Sequence, residues 1–394
     1  MSSQGERPHR VNAVLREGER VTPLELFFDL VFVLAITQCT ALMAHDPTWT
    51  GLGQGLLVLG VLWWAWSGYA WLTSVVHPEE GAVRFVMFAA MAAFLVVALC
   101  VPDAFGDQGL TFAIAYGLVR TAHIALFLLA SRDDPALRSS VLGLALSTAI
   151  SVALLVGASF LEGTAQGAVW LLALALDAGG PFLFGADGWK LVPAHFAERH
   201  GLIFLIALGE SIVALGVGSE DVEAGVIAAA VIGVALAAAM WWTYFDVVAL
   251  VAERRLSALP PGRAQNEMAR DSYGYLHFPM VAGVVLIALG LKKTLLHVDE
   301  PLAAVPAFAL VGGVGVYLLA HVAFRLRNIR TVNKQRLIVS VACLALAPLA
   351  DQVDALVALA AVTAVLWTMI AFEALHFADA RDQVRHADGD MPPS

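Results

Sequence analysis

Charged residues are scarce in this chain, and their scarcity excludes most soluble protein classes. Of its 394 residues, 14% are charged and 59% are hydrophobic, whereas a soluble domain carries roughly 25% charged residues. The apolar runs extend from end to end, without the polar faces and loops that surround a large soluble core. The composition therefore predicts an all-α fold, a polytopic transmembrane helical bundle in contact with a lipid bilayer.

Cysteine is also scarce, and the common catalytic motifs are absent. The three cysteines, Cys39, Cys100 and Cys343, lie singly in apolar segments, so we expect packing roles and neither a disulfide framework nor a zinc site. The chain contains no Walker A, GxGxxG, GxSxG, HExxH or TVGYG sequence, which disfavours nucleotide hydrolysis and the common hydrolase reactions. No basic stripe indicates a nucleic-acid partner, and we expect no cofactor.

Twelve segments reach or approach the roughly 20 residues that cross a hydrocarbon layer. They cover about 24–45, 52–77, 82–101, 105–131, 137–160, 166–186, 195–217, 222–252, 271–295, 302–325, 334–353 and 355–376. A very short turn joins the last two, which leaves open whether 334–376 forms two full spans or a re-entrant hairpin. The first segment is too long for a signal peptide and carries two acids, so we predict a retained helix.

The positive charges are segregated, and this orients the predicted bundle. Twenty of the 23 basic residues fall on one side, whereas the opposite loops carry acids such as Asp103, Glu162 and Glu220. The positive-inside rule then places both termini in the cytoplasm. We predict a cytoplasmic N-terminal arm over 1–23, a cytoplasmic tail over 378–394, and a location in the cell membrane (plasma or inner membrane).

Five residue matches in chain order suggest an internal repeat. Each joins a position in 24–187 to one in 195–377, and the offset rises from 173 to 198. The matches are Glu25 with Glu198, Trp63-Trp64 with Trp241-Trp242, His123 with His321, Arg138 with Arg336, and Asp177 with Glu373. Six spans per half is an even number, so both halves have the same orientation in the membrane. We therefore predict two parallel six-helix repeats, as in some transporters.

Three segments carry a resemblance to a known family. They are Thr22–Gln38 (TPLELFFDLVFVLAITQ), His195–Ser211 (HFAERHGLIFLIALGES) and Tyr273–Gly283 (YGYLHFPMVAG). Together they resemble the bacterial low temperature requirement A (LtrA) family, and the resemblance covers nearly the whole chain. It implies a multi-pass membrane protein; the family carries no established biochemical activity, so the mechanism stays open.

The first span carries a second, weaker resemblance. Phe27–Thr37 (FFDLVFVLAIT) is similar to the first-helix signature of the lysosomal and bacterial potassium channels that lack a TVGYG filter, with Phe28 in place of the signature serine. Two six-helix repeats would agree with the eukaryotic members of that family. The seventh span has no copy of the signature, so the resemblance does not imply a pore lined by both first helices.

Ionisable residues inside the predicted spans indicate function, because each costs roughly 2.5–3.5 kcal/mol to insert and tends to face the bundle interior. The spans contain seven acids but only two fixed bases, Arg120 and Arg199. This surplus favours traffic of cations or protons over anions. The predicted pathway residues are Glu25, Asp29, Arg120, His123, Asp177, Glu198, Arg199, Glu210, Asp246 and His277.

Two acidic positions lead this set. Glu25 and Asp29 lie one turn apart on a helix face, where they either line a path or cap the helix and pair with an arginine such as Arg199. Glu210 is the deeper candidate, about 22 Å along its helix from His195. Arg120 needs a buried carboxylate partner, for which Asp29, Asp177 and Glu210 are the choices.

Two His/Glu pairs keep an enzymatic or metal-binding alternative open. His195-x-x-Glu198 and Glu373-x-x-His376 each place two ligand types on one helix face, the spacing of carboxylate metal sites in helical bundles. One pair is in reverse order and no third pair exists, so polar networks at helix ends explain these residues more simply.

The preferred function is a transporter or channel that passes cations, protons or a small solute through the acid-rich interior. The alternative is an intramembrane enzyme or metal-binding protein that uses the two His/Glu pairs, and we lean against enzyme activity. A membrane sensor or structural component ranks last, because short loops offer little surface to a signalling partner. Whether the chain forms a homo-oligomer stays open.

Overall fold

The computed structural model describes residues 20–79, 81–183, 188–216 and 223–386. Within these ranges the chain is a bundle of mostly long helices. The predictions for most of the N-terminal arm, for Glu220 and for the last residues of the tail fall outside the described ranges.

The first half forms six long helices in sequence. They are α1 (Pro23–His45), α2 (Trp49–Val75), α3 (Gly81–Cys100), α4 (Gly109–Ala130), α5 (Pro135–Ala158) and α6 (Gly163–Leu183). The second half alternates long helices with short ones. They are α7 (Pro193–Gly216), α8 (Ala224–Phe245), α9 (Val248–Ser257), α10 (Arg263–Met268), α11 (His277–Leu296), α12 (Ala304–Ile329), α13 (Lys334–Leu346), α14 (Ala355–His376) and α15 (Ala378–His386).

Polar caps determine where several helices begin. Thr22 accepts a hydrogen bond from the Glu25 N–H, and the Glu25 carboxylate accepts one from the Thr22 N–H, so α1 starts with a complete capping box. Asp134 caps α5 by accepting from the Leu137 N–H, and Lys190 pairs with its other oxygen at 3.0 Å. These contacts hold the pKa of Asp134 below its usual value and favour the α5 start.

Ten helical segments in the described ranges are long and apolar enough to cross a membrane. Large apolar side chains such as Leu30, Phe85, Leu118, Leu183 and Val231 cover their outward faces, and a lipid environment accommodates such continuous apolar surface. Together with α7, which packs beside α1, they confirm the predicted polytopic helical membrane bundle.

The predicted span 222–252 contains a helix break near its C-terminal end. Helix α8 stops at Phe245, Asp246 caps it, and Val247 has a non-helical backbone (φ −138°, ψ −35°) before α9 begins. The segment around this break is apolar, so hydropathy does not detect it. The next span begins earlier than predicted, because a π-helical stretch over Ala269–Leu276 joins α10 continuously to α11.

The structure favours two full spans over a re-entrant hairpin at 334–376. Helix α13 continues as a 3₁₀ helix over Ala347–Gln352, and the two together cover about 31 Å. The turn that follows meets the loop between α11 and α12: the Ala355 N–H donates to the Glu300 carbonyl at 2.9 Å, and Asp354 bridges Pro301. The turn therefore lies at the opposite end of α12 from the start of α13.

Helices α11 and α12 cross at a contact that requires glycine. A Cβ at Gly283 would lie 2.9 Å from the Gly313 carbonyl oxygen, and a Cβ at Gly313 would lie 3.0 Å from the Leu286 and Ile287 side chains. Both glycines are buried. Small residues thus allow the two backbones to approach closely, as is typical of helix pairs in membranes.

Candidate functional site

Four ionisable side chains from two helices meet in one buried group, which we name the α1–α7 charge cluster. Glu25 and Asp29 come from α1, and His195 and Arg199 come from α7. Each pair has i, i+4 spacing, so each helix presents both members on one face. All four residues are fully buried.

Arg199 joins the two carboxylates of the cluster. Its Nη1 donates to Glu25 Oε1 at 3.0 Å, and its Nη2 donates to Asp29 Oδ1 at 2.7 Å. Nη1 also donates to the Thr73 hydroxyl of α2 at 3.1 Å. The predicted alternative in which Glu25 and Asp29 pair with Arg199 is therefore the arrangement in the folded chain. Such a buried pair is strongly destabilised when one partner is removed.

His195 and Trp66 complete the contacts of the cluster. His195 Nε2 lies 2.8 Å from Glu25 Oε1 and its Nδ1 lies 3.0 Å from Ser74 Oγ. Trp66 Nε1 donates to Asp29 Oδ1 at 2.8 Å, and the Arg199 guanidinium lies 5.7 Å from the Trp66 ring. Two polar atoms, Asp29 Oδ2 and Arg199 Nε, have no hydrogen-bond partner in the described part of the chain.

Glu210 forms a second polar level on the same two helices. It lies eleven residues after Arg199, about 16 Å along α7, and is 3% exposed. Its Oε2 contacts the Thr37 hydroxyl of α1. Lys292 acts on Glu210 electrostatically, but none of the described residues forms an ion pair with it, and Arg120 is not its partner.

An apolar layer separates the two polar levels. Helical spacing places Phe32 and Ile36 of α1 and Ile203 and Ala207 of α7 between them, and all four are fully buried. The layer extends from Asp29 to Thr37 along α1, which corresponds to about 12 Å. The two levels therefore share one helix interface without direct contact.

Arg120 pairs with Asp177, one of its three predicted partners. Arg120 Nη2 donates to Asp177 Oδ1 at 2.9 Å and to the Thr148 hydroxyl at 2.8 Å, and that hydroxyl lies 2.8 Å from the same carboxylate oxygen. The Tyr116 hydroxyl donates to Asp177 Oδ2 at 3.2 Å. This buried network ties α4, α5 and α6 together and is best explained as structural.

His123 lies one turn after Arg120 and packs between the rings of Tyr69 and Phe127. Neither of its ring nitrogens has a hydrogen-bond partner in the described structure. His123 and Arg120 border a cavity of about 50 Å³ that Trp64 also lines. The lining of this cavity is mostly apolar, so it does not favour ordered water beside the ring nitrogens.

Glu373 pairs with Arg336 near the start of α13. Arg336 Nη2 donates to Glu373 Oε2 at 2.9 Å and its Nε donates to Oε1 at 3.1 Å, a bidentate contact. Asn333 Nδ2 donates to Glu373 Oε1 at 2.7 Å. Arg336 Nη1 also donates to His321 Nδ1 at 3.1 Å. The sequence count of fixed bases inside the spans omits this arginine.

These pairs correct the predicted surplus of seven acids over two fixed bases. Arg336 compensates Glu373, and Arg381 and Arg385 of α15 contact Asp246 at the end of α8. Arginines at helix ends reach acids inside the spans, and hydropathy cannot reveal such contacts. Among the buried acids of the described spans, Glu210 is the one without an ion pair.

The two predicted His/Glu pairs do not converge into a site. Glu198 is exposed and accepts a hydrogen bond from the Val21 N–H at 3.0 Å, whereas His195 is buried. His376 is exposed, whereas Glu373 is buried. The described residues contain no group of three or more His, Cys, Asp and Glu side chains placed to hold a metal ion.

His277 occupies an aromatic environment away from the acids. Its Nε2 lies 2.7 Å from the Tyr244 hydroxyl, its Nδ1 lies 3.1 Å from the Ser272 carbonyl oxygen, and its ring stacks on Tyr273. His200 packs edge-on against the His277 ring. These contacts connect α7, α8 and α11 and give His277 no direct link to the α1–α7 charge cluster.

Several neutral residues contact the buried charges and were not predicted as site residues. They are Thr37, Trp66, Thr73, Ser74 and Thr148. A serine or threonine in an apolar helix does not reveal a contact with a buried charge, because its hydroxyl can instead donate to a backbone carbonyl oxygen of the preceding turn. The Trp66 indole had a detectable signal, since an N–H deep in a span requires an acceptor.

Comparison with known proteins identifies one family and one curated relative. The model of the bacterial low temperature requirement A protein (LtrA) family matches residues 20–371. An uncharacterized protein of Rhizobium meliloti (strain 1021), RA0937, is 29% identical over 286 residues, which cover 69% of either chain. No solved structure matches the chain significantly.

Proposed function

The chain belongs to the bacterial low temperature requirement A family, and from that premise we propose that it is a transporter or channel for protons or small cations. The proposed route follows the interface of α1 and α7, where the two polar levels lie. We further propose that it works in the cell membrane with both termini in the cytoplasm.

The observation that carries this proposal is the environment of Glu210. A carboxylate within a membrane span is costly, by roughly 2.5–3.5 kcal/mol on insertion scales, and ion pairing offsets that cost for the other buried acids. Glu210 forms no ion pair among the described residues, and its hydrogen-bond partners are the hydroxyls of Thr37 and Thr40. An unpaired buried carboxylate is available to bind a proton or a cation.

The Thr37 hydroxyl allows Glu210 to exist in two protonation states. The Thr37 oxygen lies within hydrogen-bond reach of both the Val33 carbonyl oxygen, at 3.1 Å, and the Glu210 carboxylate. A hydroxyl has one hydrogen to donate. When Glu210 is ionised, Thr37 donates to it; when Glu210 is protonated, Glu210 donates to Thr37 and Thr37 donates to Val33.

The α1–α7 charge cluster supplies an acceptor at the cytoplasmic end of the same interface. Asp29 Oδ1 is occupied by Arg199 and Trp66, but Asp29 Oδ2 has no partner in the described structure. A proton or cation that reaches this oxygen weakens the contact between Asp29 and Arg199. Binding and release of the proton or cation are thus coupled to the contact between Asp29 and Arg199, which holds α1 against α7.

Passage between the two levels requires movement of the apolar layer. Phe32, Ile36, Ile203 and Ala207 are fully buried and separate Asp29 from Thr37. Apolar constrictions of this kind hinder ions until they widen and admit water. The described arrangement therefore corresponds to a closed path, and transport requires α1 and α7 to shift relative to each other.

The proposal is tested with purified protein in liposomes. Under an imposed membrane voltage, entrapped dyes report the uptake of protons, sodium and potassium, one ion at a time. We expect saturable uptake of at least one of them, and we expect Glu210→Gln and Asp29→Asn each to lower the rate at least about tenfold, because they remove the charge but keep the shape.

A matched control uses Glu162→Gln, which changes an exposed carboxylate in the loop between α5 and α6. It should transport at the wild-type rate. Variants are compared only when their gel-filtration profile and thermal unfolding match the wild type. If the folded wild-type protein moves none of the three ions in either voltage direction, the proposed function is wrong.

A further inference from the structure

A second cavity lies at the end of the bundle predicted to face the cytoplasm. It has a volume of about 550 Å³ and is formed by the ends of α8, α12 and α14, the start of α13, and the short helices α9 and α15. Sites for small molecules usually measure about 300–1,000 Å³. No residue of the α1–α7 charge cluster lines it, so it is separate from the proposed ion path.

The lining of this cavity has a large excess of positive charge. It contains two acids, Asp246 and Glu373, and six basic side chains: Arg254, Arg255, Arg325, Lys334, Arg336 and Arg381. Both acids already contact arginines, Glu373 through Arg336 and Asp246 through Arg381 and Arg385. The excess of four positive charges is opposite in sign to what a cation path needs.

Two buried neutral donors on the lining have no acceptor in the described structure. Arg336 can only donate, so His321 Nδ1 accepts its hydrogen bond, and a neutral ring then carries its hydrogen on Nε2, which is unpartnered. Asn328 accepts from the Ser272 hydroxyl through Oδ1, which leaves Asn328 Nδ2 unpartnered. His321 is 2% exposed and Asn328 is 9% exposed.

Unsatisfied buried donors are costly, by about 1–3 kcal/mol each, and a bound anion would satisfy them. The Arg255 Nε on the same lining is also buried and unpartnered. Residues with donors of three kinds, guanidinium, imidazole and amide, therefore line one cavity, and these donors lie just beneath its wall. Several donors around one space suit a group with several acceptor oxygens, and arginine forks match phosphate oxygens in pairs.

We infer that this cavity binds a phosphate-bearing anion. The wall also contains apolar and aromatic side chains, including Trp242, Phe324 and Phe377, so the ligand carries an apolar part beside its phosphate. Both an anionic phospholipid at the membrane surface and a soluble phosphorylated metabolite have this chemistry. In either case Arg255, Arg325, His321 and Asn328 would contact the phosphate oxygens.

Two probes distinguish a phospholipid ligand from a soluble phosphorylated ligand. Inorganic pyrophosphate is titrated into the purified full-length protein in detergent at constant ionic strength, with potassium chloride as the reference. In parallel, mixed micelles receive either phosphatidylglycerol or phosphatidylcholine. The midpoint of thermal unfolding reports binding in both arms, because a ligand that binds only the folded state raises it.

Pyrophosphate, phosphatidylglycerol or both should raise the midpoint in a saturable way, and phosphatidylcholine should not. Arg255→Gln and Arg325→Gln, neither of which removes an ion pair to the lining acids, should each weaken binding about 10- to 100-fold. Arg138→Gln, at an exposed site on α5, should bind as the wild type does.

A response to pyrophosphate alone assigns the site to soluble phosphates, and a response to phosphatidylglycerol alone assigns it to a lipid headgroup. Responses to both show that the site recognises the phosphate group that the two probes share. The inference is overturned if neither probe raises the unfolding midpoint more than its reference does, potassium chloride for pyrophosphate and phosphatidylcholine for phosphatidylglycerol. It is also overturned if both cavity variants bind the probes as tightly as Arg138→Gln. Ion flux through Glu210 does not enter this measurement, so the two proposals fail independently.

Discussion

Individual buried acids and arginines inside the bundle fall into two classes, those that form ion pairs and those that do not. Arg199 with Glu25 and Asp29, Arg120 with Asp177, and Arg336 with Glu373 belong to the first class. A buried ion pair contributes little net stability, yet losing one partner leaves an uncompensated charge. The first class therefore explains the assembly of the fold, and Glu210, in the second class, is the candidate for function.

Arg199 provides a test at this scale. Arg199→Met leaves Glu25 and Asp29 buried beside each other without compensation, so we expect a loss of about 3–5 kcal/mol in stability. Adding Glu25→Gln and Asp29→Asn to Arg199→Met should restore a large part of that loss. Thermal unfolding in detergent measures both effects, and Arg138→Gln should stay within about 0.5 kcal/mol of the wild type. Equal stability of Arg199→Met and the wild type would contradict the described cluster.

Residue partners were only partly predictable from the sequence. The need of Arg120 for a buried carboxylate follows from its depth, but the choice among Asp29, Asp177 and Glu210 depends on which helices pack together. Arg336 was assigned to a helix start at the cytoplasmic side, and no pattern in the sequence shows that its side chain reaches Glu373. Local spacing determines a helix face, and long-range packing determines what that face contacts.

At the scale of elements, helix existence was easier to predict than helix ends. Apolar length predicts the ten helical segments that are long and apolar enough to cross a membrane, because each must satisfy its backbone within the bilayer. The break between α8 and α9 and the π-helical start of α11 were missed, since both depend on tertiary contacts. One such contact joins Asn266 Nδ2 to the Trp189 carbonyl oxygen at 2.7 Å, which anchors the region before α11.

The crossing of α11 and α12 provides the element-scale prediction. Gly283→Ala would place a Cβ 2.9 Å from the Gly313 carbonyl oxygen, and we expect it to destabilise the protein by about 1–3 kcal/mol because two backbones must separate. Gly167→Ala in α6 meets nothing within 4 Å and should be neutral or stabilising. Thermal unfolding compares them; a Gly283→Ala variant as stable as Gly167→Ala would refute the close crossing.

At the scale of the whole molecule, similar contacts recur in the two halves. The Phe28 and Tyr69 rings are tilted at 34° with their centroids 4.7 Å apart, and the Phe204 and Tyr244 rings stack at 4.3 Å. Each tyrosine also faces a histidine, Tyr69 at His123 and Tyr244 at His321. Tyr69 and Tyr244 differ by 175 positions, whereas the tryptophan pairs of the same two helices differ by 178, so these contacts do not fix the repeat register. The two parallel repeats over 24–187 and 195–377 stay a prediction.

Topology gives the prediction at this scale. The three native cysteines are buried, so we expect them to react little with a maleimide, and single cysteines can be introduced into the wild-type chain. A membrane-impermeant maleimide should label Glu162→Cys in intact cells and Arg138→Cys only after the membrane is opened, because the two positions lie at opposite ends of α5. The reverse pattern would invert the orientation and place the phosphate cavity outside the cytoplasm.

The most direct test of the ion-path proposal is one comparison of rates. Voltage-driven uptake of protons, sodium and potassium is measured, one ion at a time, in liposomes that contain equal amounts of folded wild-type protein or Glu210→Gln. The account predicts that the wild type takes up at least one of these ions and that the variant takes up that ion at least about tenfold more slowly. Equal uptake by the two proteins would contradict the account, because Glu210 would then have no part in the path.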